Sequence, residues 1–520
     1  MNKFKFLFIL IFSLEIYSFN HKPNIIIILT DDLGWGDVSY NSGSISTPNI
    51  DKLAKDGLLM NRFYSAPTCS PTRASLMTGI NSIKNGVVRP INNPIAERNA
   101  LPLRHKIMPE YFKEAGYQTA LSGKWHLGMF SDEYLPGNRG FDYTYGHLGG
   151  GIDYFEHTLS GRLDWHRNAE VLYEDGYSTT LIADEAVRII KNRDIEKPLF
   201  LYVAFNAPHT PIQAEVSQIE KLQHINDKSE RLYAANIQIL DKEIGKIISS
   251  IESEKILEET IIIFFSDNGP VYDINPIVEV IAPDIVNSKG NTRGLRGSKG
   301  STYEGGIRVP GIIFYKGKLE KKISDQFFFV DDLLPTLLSA SKIKFDKKIF
   351  TGVNRWQDLL NNNIVPPSNV LTGNIIINDE RALFNDNWKL YFKKNIYINS
   401  KEIFELYDII NDPYERKELS SDYPEIFESM KETLNENLII NDVGFYNGAQ
   451  AFLYGDRYTE ISESPWLDRN YEEKDPPSSI IQFIILSWIL ILAYKEFFIL
   501  IIMVSIIYLI QRKSLNKSNH

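Results

Sequence analysis

An open α/β sheet, mostly parallel and covered by helices on both faces, is the fold class this sequence predicts, and three observations carry that prediction. Short continuous apolar runs recur along the chain: NIIIIL from Asn24, PLFLYVAF from Pro198 and TIIIFF from Thr260. Such runs, bounded by turn residues, read as strands buried on both faces, as the strands of a parallel sheet are. Helical patterns over Ile107–Ala115 and Ser229–Ile251 lie between them, and strands alternating with helices argue for helices on both faces of the sheet. Each run is also followed by polar residues: Asp31 and Asp32 after the first, His209 after the second, Asp267 and Asn268 after the third. Ligands of open sheets sit beyond the carboxyl ends of the strands, so the site is expected there.

The chain of 520 residues has room for a large core, and its 43% hydrophobic and 23% charged content is that of a globular protein. Its formal net charge of -10 argues against nucleic acid as a main partner. Residues 21–345 read as the main α/β domain. The character changes near Lys342–Lys348, and residues 346–477 read as a smaller α+β domain. At the front, Lys3 and Lys5 precede a short apolar run, so residues 1–20 read as a secretory signal peptide. Residues 480–510 form a longer apolar stretch interrupted by Lys495 and Glu496. One tilted span, a half-embedded segment and a tight hairpin all fit it. The basic tail, residues 511–520 with Arg512, Lys513 and Lys517, favours the cytoplasmic side. A membrane-anchored protein of the secretory pathway results, with its bulk lumenal or extracellular.

Asp31, Asp32, Asp267 and Asn268 suit a hard divalent cation, which takes carboxylate and amide oxygens. Adjacent aspartates at a strand end repel unless a cation or a proton sits between them. Cys69, the only cysteine in the chain, lies in TCSPTRASLMTG. With no disulfide partner, it is either a small buried hydrophobe or a residue kept for its reactivity. Pro71 suits a first helical turn and Ala74–Met77 would continue it, which puts Cys69 at a helix N-terminus, where anions are stabilised. Arg73, one turn on, would fix that side chain or bind an anionic group. Gly149–Gly151 and Trp165–His166 lie in a loop-like stretch that either shapes substrate access or is structural; His105, His147, His157 and His224 receive no role.

CSPTRASLMTG, Cys69 to Gly79, resembles the signature of type I sulfatases, in which the cysteine is oxidised to formylglycine. GYQTALSGKWHLG, Gly116 to Gly128, resembles the second signature of that family, and LTDDLGWGD, APHTP, FFSDNG and RGSKGSTYEGGIRVP follow in family order between Pro23 and Asp442. PLFLYVAFNAPHTPIQ, LPGNRGFD and TGVNRWQDLL look most like the arylsulfatase B branch, which removes 4-sulfate from N-acetylgalactosamine.

The resemblance implies an alkaline-phosphatase-like fold. It also implies a metal site for Ca²⁺, with Mg²⁺ an alternative of the same ligand type, built from Asp31, Asp32, Cys69, Asp267 and Asn268. The implied catalytic set is Cys69, Arg73, Lys124, His126, His209, Asp267 and Lys299. One hydroxyl of the hydrated aldehyde attacks sulfur with Asp267 as base. The other passes its proton to His126 and expels sulfate. His209 and Lys299 protonate the leaving sugar oxygen or hold the sulfate, and Lys124 adds positive charge. The implied substrate is a sulfated glycosaminoglycan or algal polysaccharide, and the implied maturation partner is a formylglycine-generating enzyme. Two alternatives stand beside this reading: a phosphonate or phosphodiester hydrolase using the same aldehyde, and a membrane-tethered binder of sulfated glycans that does not cleave them. The chain departs from the arylsulfatase B branch in having no disulfides and in its C-terminal apolar stretch.

Overall fold

The computed structural model describes residues 22–91, 100–129, 131–159, 161–272, 288–376, 378–395 and 400–437. The signal-peptide, membrane-segment and tail readings lie outside the described residues. Among the described residues no helix is long and apolar enough to cross a membrane.

The main sheet is assembled from β1 (Asn24–Thr30), β2 (Leu58–Tyr64), β3 (Gln118–Gly123) and β4 (Tyr143–Gly146). A small separate hairpin, β5 (Thr158–Leu159) and β6 (Arg162–Leu163), precedes β7 (His166–Arg167) and β8 (Glu170–Val171). The remaining strands of the sheet are β9 (Leu199–Ala204), β10 (Thr260–Ser266), β11 (Arg308–Val309), β12 (Gly311–Tyr315) and β13 (Lys322–Phe329). The order is β11-β2-β12-β10-β1-β9-β3-β4-β7-β8, with β13 also against β2. The three apolar runs become β1, β9 and β10, and they are neighbours: β1 pairs in parallel with both β9 and β10.

The sheet is mixed, which corrects the mostly parallel expectation. Its centre, β10-β1-β9-β3-β4, is parallel. Antiparallel pairing takes over at both flanks, where β12 returns against β10 and β2, and β7 returns against β4 and β8. Parallel neighbours need a long crossover, whereas antiparallel ones close through short turns such as the one between β7 and β8. The flanks hold strands of two residues and the mixed run KISDQFFF of β13, patterns that do not mark a pairing direction.

Alternate residues of the central strands feed two separate cores. Ile26, Ile28, Leu201, Val203, Ile262 and Phe264 pack under the helices Pro48–Asp56, Ser178–Lys191 and Lys228–Ser253. Ile25, Ile27, Leu29, Phe200, Tyr202, Ile261 and Ile263 face the helices Cys69–Thr78, Met108–Glu114 and Leu333–Ala340. Every residue of β1, β9 and β10 is buried, and full burial of each large apolar side chain contributes about 1.5–3 kcal/mol. The sheet centre is therefore the rigid platform whose strand ends carry the site.

The second domain holds an antiparallel sheet, β14 (Val370–Ile375), β15 (Asn378–Asn385), β16 (Trp388–Asn395) and β17 (Ile403–Asp408), with the helix Pro424–Glu436 packed on it. A buried polar joint ties this sheet to the main domain: Lys389 on β16 lies 2.9 Å from Glu304 and 2.7 Å from Glu415. Tyr64 on β2 donates to the other oxygen of Glu304.

Candidate active site

Strands of the parallel centre end at one place, and the residues just past those ends meet there. Asp31 and Asp32 follow β1, Asp267 and Asn268 follow β10, and Lys124 follows β3. The register of β1 with β10 sets Thr30 opposite Ser266, so the next residues of both strands emerge side by side. The Asp267 amide donates to the Thr30 carbonyl, and the Asp32 amide donates to Asp267 Oδ1 at 3.2 Å. His209 arrives from the turn after β9, its amide held by the Asn206 carbonyl. Asp32 and His126 both have left-handed backbones, with φ of 67° and 57°. That conformation is uncommon for non-glycine residues.

The charges interlock. Lys124 Nζ lies 2.5 Å from Asp31 Oδ2 and also donates to the Gly150 carbonyl. Arg73 is completely buried and spans several partners. Its Nη2 lies 2.8 Å from Asp267 Oδ2 and 3.7 Å from Asp31 Oδ2, while Nη1 donates to the Lys124 carbonyl and to Tyr202 Oη. Lys299 Nζ lies 2.7 Å from Asp32 Oδ1. Three carboxylates thus face three cations, a balance that offsets the high desolvation cost of burying any one of them.

Burial opposes ionisation of Asp31 and Asp32, yet Lys124 and His209 hold Asp31 below the usual carboxylate range, and Lys299 and His209 do the same for Asp32. Burial and the neighbouring Asp31 push Asp267 up. Burial among Lys124, Arg73 and His209 holds His126 well below its ordinary value, leaving a neutral imidazole.

Cys69 opens the helix Cys69–Thr78, every residue of which is buried. Its Sγ lies 3.6 Å from Asp31 Oδ1, and burial pushes the thiol up to about 12. The neighbouring signature residues have structural work. Ser70 Oγ donates to the His126 carbonyl and accepts the Ile91 amide, and Thr72 Oγ1 accepts the Ala66 amide. Gly79 ends the helix at φ 66°, its amide on the Ser75 carbonyl. This apolar-poor stretch is thus locked in place by hydroxyls, with residue 69 aimed at the strand ends.

Residues 23–343 match the family model described as Sulfatase. The chain belongs to the sulfatase family. Arylsulfatase J of Mus musculus is 32% identical over 467 residues, covering 80% of this chain and 75% of that protein. An N-acetylgalactosamine-6-sulfatase of Canis lupus familiaris is 32% identical over 341 residues, 61% of this chain and 62% of the relative. Ps i-CgsB, solved in complex with k-i-k-neocarrahexaose, superposes with a TM-score of 0.73 at 27% identity, covering 85% of this chain and 99% of that chain. The neighbours support an alkaline-phosphatase-like sulfatase fold.

Sulfatases generally use a divalent metal, and the donors of this sulfatase suit one. Ligand atoms of Asp31, Asp32, Cys69 and His209 lie within 4.8 Å of one another. Asp267 and Asn268 adjoin them through Asp32, to which Asn268 Nδ2 donates at 2.6 Å. Asn268 Oδ1 is buried with no hydrogen-bond partner among the described residues, an unsatisfied oxygen of the kind a cation takes up. All ten residues singled out from the sequence therefore fall in one cluster. They differ in depth: Asp31, Arg73, Lys124, Asp267 and Asn268 are fully buried, whereas the side chains of His209 and Lys299 are 19% and 18% exposed. The mouth of the site is where those two stand.

Sequence reasoning missed the residues that hold this set. Tyr202, which meets Arg73, left a trace as the phenol inside an otherwise apolar strand. Asn374 Nδ2 donates to the Gly300 carbonyl, and Glu380 Oε1 accepts from Ser301 Oγ and the Thr302 amide. These contacts brace the loop of Lys299, and nothing in the local sequence marks them.

Proposed function

We propose that this sulfatase hydrolyses sulfate esters of sulfated sugars, using residue 69 in its formylglycine form and a divalent cation, Ca²⁺ or Mg²⁺. The observation that carries the reading is the position of Cys69 against Asp31, at the head of a buried helix and inside the cluster of carboxylates, lysines and histidines. An aldehyde at residue 69 would supply, once hydrated, one hydroxyl to attack sulfur and a second whose deprotonation releases sulfate, and a bound cation would contribute polarisation of the ester oxygens.

Asp31, Asp32, Asp267 and Asn268 would hold the cation together with residue 69. With three carboxylates already balanced by Arg73, Lys124 and Lys299, a dication leaves the site net positive, the sign that attracts a sulfate ester. Arg73 fixes the carboxylates around residue 69, and Asp267, which Arg73 holds at 2.8 Å, would serve as base for its hydroxyl. Lys124 and Lys299 oppose negative charge that develops on the sulfuryl oxygens. Neutral His126 is able to accept the proton whose loss releases sulfate. His209 stands at the mouth, where the leaving sugar oxygen would be. Its Nδ1 faces the Thr210 carbonyl at 2.6 Å, which assigns the proton there and leaves Nε2 toward the site. A bound sulfate favours protonation of Nε2, the form that serves a leaving group.

The branch reading, 4-sulfate on N-acetylgalactosamine, is supported by the motifs quoted above. The relatives point to more than one sugar, one being named for the 6-sulfate and one structure holding a carrageenan-type hexaose. Assay of the purified, aldehyde-bearing protein on 4-sulfated and 6-sulfated N-acetylgalactosamine and on sulfated galactan oligosaccharides tests the choice. Mass spectrometry of the peptide containing residue 69 tests the chemistry: an aldehyde with sulfate release supports it, and an unmodified thiol in fully active protein refutes it. Turnover of aryl phosphonate esters in place of aryl sulfates would instead favour the phosphonate reading. By the same reading a formylglycine-generating enzyme matures the protein, and residues 480–510 anchor it in a membrane of the secretory pathway with the site lumenal or extracellular. Protease protection of residues 22–437 in sealed microsomes tests that placement.

A further inference from the structure

The loop-like stretch that the sequence left open between shaping substrate access and a structural part holds a buried carboxylate wired to the site. We propose that Asp164 is a positioning residue of the sulfatase, fixing a glycine strap, Leu148–Gly151, that in turn places Lys124, His126 and His209. The inference rests on the sulfatase reading above.

Asp164 is fully buried, and both its oxygens are used. Oδ1 accepts the Leu148 amide at 3.0 Å and lies 2.9 Å from His166 Nε2, while Oδ2 accepts the Gly149 amide at 2.7 Å. Asp164 itself is set by its own amide on the His157 carbonyl, just after the β5–β6 hairpin. It therefore comes from outside the main sheet.

The strap it holds meets the site at three points. The Leu148 carbonyl accepts the His126 amide at 3.0 Å, which fixes the left-handed backbone that presents the imidazole. The Gly150 carbonyl accepts from Lys124 Nζ, opposite the bond from that lysine to Asp31. Gly151 lies against the ring of His209: a Cβ there would stand 3.1 Å from Cε1 and Nδ1. The fit is tighter at 149, where a Cβ would meet Asp164 Oδ2 at 2.8 Å and Leu159 Cδ2 at 2.4 Å, so that these side chains would have to shift. The strap passes between a carboxylate that orders it and three side chains that depend on it. A misplacement of about 1 Å in such groups costs on the order of 100-fold in rate.

The discriminating readout is the leaving group. A sugar alcohol needs its departing oxygen protonated, whereas a nitrophenolate does not. Loss of folded or aldehyde-bearing protein lowers both activities in proportion; loss of His209 placement lowers the sugar ester more. In the full-length, aldehyde-quantified enzyme, Asp164→Asn keeps the shape but replaces one accepting oxygen with an amide donor. It is expected to lower kcat on a sulfated N-acetylgalactosamine or galactan oligosaccharide by roughly 30-fold or more, with KM within about threefold and a loss on 4-nitrophenyl sulfate at least fivefold smaller. Gly151→Ala leaves Asp164 and its bonds intact while pressing on His209 from the far end of the strap, and the same skew is expected. An unchanged kcat in Asp164→Asn, or equal losses on both esters in both variants, overturns the inference while leaving the sulfatase reading standing. An aldehyde-bearing wild type inert to both esters overturns the sulfatase reading and this inference with it.

Discussion

Asp31, Asp32, Lys124 and Asp267 stand directly on the ends of parallel strands, whereas Lys299 comes from a loop between β10 and β11 that no strand carries. The first group inherits its geometry from a register: once β1 and β10 pair with Thr30 opposite Ser266, the carboxylates beyond them have little freedom. Lys299 has no such guarantee. Its loop is tied on one side to the main domain, by the Lys299 amide on the Pro270 carbonyl and the Gly300 amide on the Pro67 carbonyl. On the other side it leans on Asn374 and Glu380 of the second sheet. A site built half on a sheet platform and half on a braced loop should respond differently to damage in each half.

The largest effect is expected on the platform side. Cys69→Ala should stop sulfate release, a loss of at least ~10³-fold, with unchanged far-ultraviolet circular dichroism. A collapse of secondary structure would return Cys69 to the role of a core residue. On the loop side, Lys299→Ala should cost about 10²–10³ in kcat, the scale of removing one preorganised donor from a developing charge, measured on the sugar ester at saturating substrate. The brace comes next. Glu380→Ala should lower kcat by about tenfold in the wild-type background and add almost nothing in a Lys299→Ala background, since coupled residues are not additive. Additive losses in that double-mutant cycle would mean that the second sheet acts on the platform as well.

The smallest effect concerns the seam between the halves. Asp37, beyond β1, accepts the Asn291 amide from the far loop as well as Tyr233 Oη and the Gly34 amide. Burial, opposed by these donors, pushes it up to about 7. The unfolded carboxyl ionises near pH 4, so between about pH 4 and 7 the native state binds the extra proton. Asp37 should make stability fall as pH rises through that window, its share of the slope being at most ~1.4 kcal/mol per pH unit. Urea midpoints from pH 4.5 to 7.5 should fall less steeply in Asp37→Asn than in the wild type, the remainder coming from Asp331, Asp332 and Glu415, which burial also pushes up.

The central strands were legible because each is a continuous apolar run, and burial on both faces imposes that composition. β3 was not, although it lies in the parallel centre: QTALSG has no such run. Its polar side chains are satisfied from afar, Ser122 Oγ on the Ile182 carbonyl and Thr119 Oγ1 on the Gly140 carbonyl. The site residues were legible for a related reason. Paired aspartates and a lone cysteine at strand and helix ends are chemically odd, and their order along the chain matches the family signatures. Asp164 and Glu380 are chemically ordinary, and one carboxylate among many carries no local mark.

By itself the sequence determined which segments are buried and which reactive side chains follow them, because apolar periodicity and unusual residue types are local properties. Only the tertiary structure decided that the sheet turns antiparallel at its flanks, that a second sheet holds Lys299, and that Asp164 reaches the site through a strap of glycines. Those outcomes depend on hydrogen bonds between residues tens of positions apart, whose partners are chosen by packing and have no pattern in the chain.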